Sequence, residues 1–141
     1  MMAEKLSKQN NVYNLFLDDT RNPRDVYEYT FRYVYLETEW TIVRNYDEFI
    51  QTITTLGLPD ILSLDHDLGL EHYNHQHDKP GELPYDQYIE KTGYHCAKWL
   101  IDYCMDNNLK LPNTILIHTM NVVGAQNIAS LFNTYEKVHG K

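Results

Sequence analysis

Two acids stand side by side at Asp18 and Asp19, two more flank a histidine at Asp65, His66 and Asp67, and His118, Thr119 and Asn121 add an imidazole, a hydroxyl and an amide. Side chains of these types can hold a metal ion, move a proton or attack phosphorus. Asp18, Asp19, Asp65 and Asp67 gathered in one crevice would repel one another and raise one another's pKa unless a cation sat among them. A hard divalent ion such as Mg²⁺, which takes oxygen ligands, is the simplest such cation. The unperturbed pKa of imidazole lies near neutrality, which suits His66 and His118 to general base and acid roles. Each group also has a plainer reading. Asp18-Asp19 before Thr20-Arg21-Asn22-Pro23 can be a turn and cap, and His118 can be a satisfied core histidine. Arg21 and Arg44 can reach a phosphate or simply pair with the surplus acids.

The elements that must position these residues decide between the readings. Each group directly follows a short apolar run of strand length. Val12 to Leu17 ends in Asp18-Asp19, Ile61 to Leu64 ends in Asp65, and Thr114 to Ile117 ends in His118; continuous apolar runs of this kind are expected of buried parallel strands. Thr41 to Arg44 is a further short strand. Between them lie helical patterns. Asn45 caps a helix through Phe49, Ile50, Ile53 and Leu56 that Gly57 ends, and Thr92 caps one with Cys96, Trp99, Leu100, Tyr103 and Cys104 on one face. A last helix runs from about Val123 to Val138, with Ile128, Leu131 and Phe132 inward. Strands alternating with helices predict an α/β fold with a parallel sheet. In such a sheet ligands bind beyond the carboxyl ends of the strands, where strand order reverses. With order 2-1-3-4 the acids, both imidazoles, Thr119 and Asn121 converge.

Two segments stand apart from this alternation. Tyr27, Tyr29, Phe31, Tyr33 and Tyr35 alternate strictly within Val26 to Leu36, which predicts an extended strand or hairpin arm with an aromatic face. Gly69 to Lys91, with His72, His75 and His77, has no usable periodicity and reads as a long loop with solvated histidines.

Composition limits the partners. The chain has 141 residues and a formal net charge of -8, with 12 Lys and Arg against 20 Asp and Glu. That length supports one core, and the acidic balance disfavours binding along nucleic-acid backbone, whose affinity comes from Lys and Arg releasing counterions. No apolar run is long enough to span a bilayer. Residues 1–11 carry no apolar stretch and read as a flexible N-terminal segment, which makes a cytoplasmic location the expectation. Cys96 and Cys104, about 12 Å apart along one helix, are too distant for a disulfide and read as buried free thiols.

Leu15-Phe16-Leu17-Asp18-Asp19, Leu62-Ser63-Leu64-Asp65 and Thr119 after a further strand resemble the phosphorylation site of bacterial response-regulator receiver domains. More specifically, Leu-Asp-Asp-Thr-Arg-Asn-Pro, Ser-Leu-Asp-His-Asp-Leu-Gly, Thr-Gly-Tyr-His-Cys-Ala-Lys-Trp-Leu and His-Thr-Met-Asn-Val-Val-Gly-Ala-Gln-Asn-Ile are similar to the cyclic-phosphate-processing receiver-like family of bacteria and phages. The resemblance implies a three-layer, flavodoxin-like parallel sheet of order 2-1-3-4 without a fifth strand, an aromatic-rich insertion after the first strand, and one receiver-like domain over residues 12–138. It implies Mg²⁺ on Asp18, Asp19 and Asp65 with Asp67 as a further carboxylate. Acid-base or phosphate roles fall to His66, His118 and Thr119; Asn121 would be a further hydrogen-bond donor to the phosphate, and Arg21, Arg44 or Lys98 would be the phosphate-binding cation in place of the family's basic residue. Asp65 would be the nucleophile if the chemistry passed through an aspartyl-phosphate. The implied activity is metal-dependent phosphoesterase-type processing of a cyclic nucleotide or a cyclic-phosphate RNA end. The alternative is a catalytically degenerate module that binds a phosphorylated ligand or a protein partner. Two departures matter: Ala125 stands where the family has a basic residue, and without a fifth strand the phosphorelay switch is disfavoured.

Overall fold

The computed structural model describes residues 12–69 and 91–139. The reading of His72, His75 and His77 as a loop, and of residues 1–11 as a flexible segment, falls outside those residues. Strands β1 (Asn14–Leu17), β2 (Thr41–Val43), β3 (Ile61–Leu64) and β4 (Thr114–Ile117) form a four-stranded sheet of order β2-β1-β3-β4. All three pairings are parallel, and the described residues contain no fifth strand. The register brings Val43, Leu17, Leu64 and Ile117 level, so the strands finish flush. The ladder continues one residue further, with the Asp18, Asp65 and His118 amides donating to Val43, Leu17 and Leu64 carbonyls at 3.1, 3.0 and 2.9 Å.

Alternation along the strands divides the core. Leu15, Leu17, Leu62 and Leu64 are fully buried against helices α3 (Tyr46–Leu56), α4 (Gly93–Asp106) and α5 (Val122–His139) through Phe49, Ile53, Cys96, Leu100, Ile128 and Phe132. Each such leucine contributes roughly 1.5–3 kcal/mol. The opposite face carries Phe16 and Ser63, covered by α1 (Pro23–Thr30) and the single turn α2 (Val34–Glu37) through Val26 and Tyr35. The caps act as expected. Asn45 accepts from the Glu48 amide, Thr92 from the Tyr94 and His95 amides, and Gly57 ends α3 at φ 91°. Cys96 and Cys104 are buried free thiols.

The strand expected over Val26 to Leu36 is instead α1, a turn and α2. Local start signals outweigh the two-residue period of the aromatics. Asn22 is extended, Pro23 opens the helix with its preset φ, and the Asp25 carboxylate accepts from the Asn22 amide at 2.8 Å, as in a capping box. The helix ends at Phe31, whose left-handed φ of 58° lets its amide bond the Tyr27 carbonyl. Winding sends the alternating rings to different places. Tyr35 goes into the core, Tyr29 goes toward β4, and the exposed Phe31 and Tyr33 rings pack on the half-buried Tyr27.

Candidate metal centre

Because the strands end flush, Asp18, Asp65 and His118 occupy equivalent positions on β1, β3 and β4 and share the face that carries Phe16 and Ser63. Each is buried, and they offer ligand atoms that lie within 4.8 Å of one another. Asp18 Oδ1 accepts from the Thr20 and Arg21 amides at 3.0 and 2.8 Å, and Oδ2 meets His118 Nε2 at 3.0 Å. Burial alone would raise the Asp18 pKa, but these hydrogen bonds outweigh it and hold the carboxyl below the ordinary range. Burial holds His118 below its ordinary value, offset in part by Asp18.

Asp65 is the opposite case. Its Oδ1 accepts from the His66 amide at 2.8 Å, but its Oδ2 is buried with no hydrogen-bond partner. Burial, and then the charge of Asp18, push this carboxyl up to about 8, with Thr119 and the His66 amide opposing and Asp67 adding to the rise. A buried carboxylate oxygen without a donor is costly, and two carboxylates plus an imidazole with one such oxygen suit a divalent cation. Asp18, Asp65 and His118 can hold one.

The rim of the cluster has its own order. The Arg21 guanidinium lies 3.8 Å from Asp18 Oδ2, donates to Met120 Sδ at 3.0 Å and sits 5.4 Å over the Tyr29 ring. The Tyr29 hydroxyl donates to the His118 carbonyl, and burial pushes its pKa to about 12. Asp19 and Thr119 are half-buried beside the cluster in sequence, and the Thr119 hydroxyl accepts from the Asn121 amide at 3.1 Å.

Four expected site residues are placed elsewhere. His66 and Asp67 form a separate buried pair at 2.8 Å, His66 Nδ1 to Asp67 Oδ1. Asn121 Nδ2 donates to Asp67 Oδ1 and Oδ2 at 3.1 and 3.4 Å, and its Oδ1 caps α5 by accepting from the Gly124 amide at 2.9 Å. The His66 ring fills the space over Gly124, where a Cβ would lie 2.4 Å from its Cγ. Arg44 bridges the loop after β1, donating to the Asp18 and Arg21 carbonyls at 3.1 and 2.7 Å and to Asn22 Oδ1 at 2.7 Å. Its three acceptors make it a clamp on the backbone. Lys98, a further candidate phosphate cation, is exposed on α4.

Three residues that sequence reasoning passed over belong to the cluster. Ser63 Oγ lies 2.7 Å from His118 Nδ1 and 2.6 Å from the Tyr35 hydroxyl. Phe16 stacks on the imidazole with centroids 4.6 Å apart and an interplanar angle of 1°. The available signal was a serine in the middle of the apolar run Ile-Leu-Ser-Leu, because a buried hydroxyl needs a partner.

Among known proteins, no curated sequence and no solved structure matches this chain. A family model does, described as the cyclic-phosphate processing receiver domain and matched over residues 13–134. That span covers most of the 141 residues and contains every strand of the described residues and the whole cluster of Asp18, Asp65 and His118. With the sheet order, the flush strand ends and the buried acids that the receiver resemblance calls for, it establishes that this chain belongs to the cyclic-phosphate processing receiver domain family.

Proposed function

We propose that the chain is a metal-dependent phosphoesterase that opens a cyclic phosphate, either in a cyclic nucleotide or at an RNA end closed by a cyclic phosphodiester. The observation that carries this reading is Asp65 Oδ2, buried, without a hydrogen-bond partner and beside a second carboxylate. Asp18 and Asp65 would hold the cation, with Asp19 next to them at the end of β1. Mg²⁺, when bound, would neutralise phosphoryl charge and orient a water. The protein groups have separable tasks. The Asp18 carboxylate is held by two backbone amides and His118, so its oxygens are fixed before any ligand arrives. Arg21, about a third exposed in its side chain, stands at the rim where it can orient a phosphoryl oxygen in place of the basic residue missing at Ala125. Thr119 is the hydroxyl available to the phosphate, since Asn121 is engaged by Asp67 and the Gly124 amide. His66 and Asp67 support the strand end from the other face.

Incubating the protein with Mg²⁺ and a panel of 2′,3′- and 3′,5′-cyclic nucleotides and cyclic-phosphate RNA ends, with products resolved by mass spectrometry, tests this. Ring-opened product that disappears in Asp65→Asn supports it, and an untouched panel sinks it. A second reading, a module that binds a phosphorylated ligand without turnover, is favoured by one observation. Both ring nitrogens of His118 are engaged within the protein, which leaves that imidazole no proton to exchange with a substrate. Calorimetric binding of the same ligands with no product would establish that reading.

A further inference from the structure

Four buried side chains form an unbroken line of hydrogen bonds through the α1/α2 face of the sheet. Tyr35 Oη lies 2.6 Å from Ser63 Oγ, Ser63 Oγ lies 2.7 Å from His118 Nδ1, and His118 Nε2 lies 3.0 Å from Asp18 Oδ2. Tyr35, Ser63, His118 and Asp18 are 3%, 0%, 2% and 0% exposed, so water does not compete for these bonds. Phe16 lies flat on the imidazole, and the Tyr35 ring meets it edge-on with centroids 6.0 Å apart. The ring is thus fixed in plane and in direction.

The direction of each bond follows from counting protons. An ionised carboxylate only accepts, so the proton between Asp18 and His118 belongs to Nε2. A neutral imidazole carries one N–H, which makes Nδ1 the acceptor. The Ser63 hydroxyl therefore donates to Nδ1, and its free lone pair accepts from the Tyr35 hydroxyl. A doubly protonated ring would reverse the outer bonds, but a ring sealed from water between Phe16 and Tyr35 disfavours that charge. Burial likewise keeps Tyr35 protonated and able to donate.

We propose that Asp18 sets His118 as its Nε2–H tautomer and that Ser63 and Tyr35 are positioning residues that hold the ring to it from Nδ1, so that His118 orients Asp18 as a hydrogen-bond donor instead of ligating the metal ion itself. The ligands left by this assignment are the carboxylate oxygens of Asp18 and Asp65, a set suited to a hard cation and poor for Zn²⁺, which favours nitrogen and sulfur. Groups of this kind, one bond removed from a metal, typically change affinity 10- to 100-fold when removed. The consequence for metal choice rests on the proposed cation site, whereas the tautomer does not.

The test is long-range ¹H–¹⁵N NMR of the full chain labelled at histidine nitrogen, without metal, with the His118 signals assigned through His118→Gln. The expected spectrum shows His118 with a protonated Nε2 and a hydrogen-bonded, unprotonated Nδ1. In Ser63→Ala, Nδ1 loses its donor while Asp18 keeps the Nε2 proton, so the Nδ1 signal moves toward that of an unbonded ring nitrogen and calorimetric affinity for Mg²⁺ alone falls about tenfold. Tyr35→Phe, which keeps the ring, moves the Nδ1 shift in the same direction by less. A wild-type Nδ1–H or doubly protonated ring overturns the proposal without needing any variant to fold. So does a Ser63→Ala protein whose Nδ1 shift or Mg²⁺ affinity is unchanged. The expected tautomer in a protein that processes no cyclic phosphate leaves this assignment standing and sinks the phosphoesterase reading. Turnover with the opposite tautomer does the reverse.

Discussion

The end of the sheet holds two clusters made of nearly the same side chains, and they differ in whether their hydrogen bonds close. His66, Asp67 and Asn121 complete one another. Both Asp67 oxygens have donors, and the Asn121 side chain is engaged at both ends. Asp18, Asp65 and His118 do not, because Asp65 Oδ2 is left without a partner. The first arrangement is a brace that ties the end of β3 to the start of α5. The second retains an unmet demand for positive charge. Acids and histidines at a strand end therefore do not identify a site by their types; the incomplete hydrogen bonding does.

Substitutions on the two sides should separate accordingly. The largest effect is on chemistry. Asp65→Asn should lower turnover of a cyclic phosphate by about 10³-fold or more, equivalent to about 4 kcal/mol of barrier. Product formation under saturating Mg²⁺ measures it, and retention of more than a tenth of the rate would remove Asp65 from the site. The next effect is on pH-dependent stability. The Asp65 pKa rises from an ordinary value near 3.9 in the unfolded chain to about 8 in the folded one. The folded protein therefore binds the extra proton between these values, and stability without metal falls as pH rises from about 4 to about 8. The loss is on the order of a few kcal/mol and is complete above the folded pKa. Urea unfolding from pH 5 to pH 9 should show this slope, Asp65→Asn should flatten it, and Mg²⁺ should restore stability most at pH 9. A wild-type protein with no slope would contradict the open-cluster description.

Packing effects follow. A Cβ at Gly93 would stand 1.8 Å from the Asp65 carbonyl oxygen, so Gly93→Ala should force α4 away from β3 and cost about 3 kcal/mol in denaturant unfolding. A change below about 0.5 kcal/mol would show that the approach is looser than described. On the closed side, Asp67→Ala strips the donors of His66 and Asn121 of their acceptor and should cost about 2 kcal/mol. Mg²⁺ affinity measured by calorimetry should stay within about twofold, and a tenfold loss would mean that the two clusters act as one. Arg44→Lys, which cannot reproduce three directed donations, should cost about 1 kcal/mol with turnover little changed.

The sequence made the sheet legible because buried parallel strands carry continuous apolar runs and end in polar residues. The Asn45, Gly57 and Thr92 punctuation fixed two helices for the same local reasons. The α1 helix was misread because five aromatics at alternate positions imitate a strand. Asn22 and Pro23 fit a turn and cap after the acid pair, and only together with Asp25 do they mark a helix start. At the site, the convergence of Asp18, Asp65 and His118 follows from strand order alone. The separation of His66 from His118 needed the register. His66 is one residue past Asp65 and so turns toward Gly124, while His118 is level with Asp65 and turns toward Ser63. The Arg44 clamp and the Ser63–Tyr35 link depend on contacts 22 to 28 residues apart in the chain, which no local pattern encodes.

The close seating of Gly93 also makes it a reporter. Its amide donates to the His66 carbonyl at 2.8 Å while its Cα lies against the Asp65 carbonyl, so the peptide joining Asp65 to His66 cannot tilt without disturbing that one N–H. Glycine amides resonate apart from most others, and this one bonds the carbonyl one residue past the carboxylate that the proposed cation would engage. Occupancy of the centre can be followed at Gly93 by its resonance position and its rate of hydrogen exchange, without a substrate and without labelling the site.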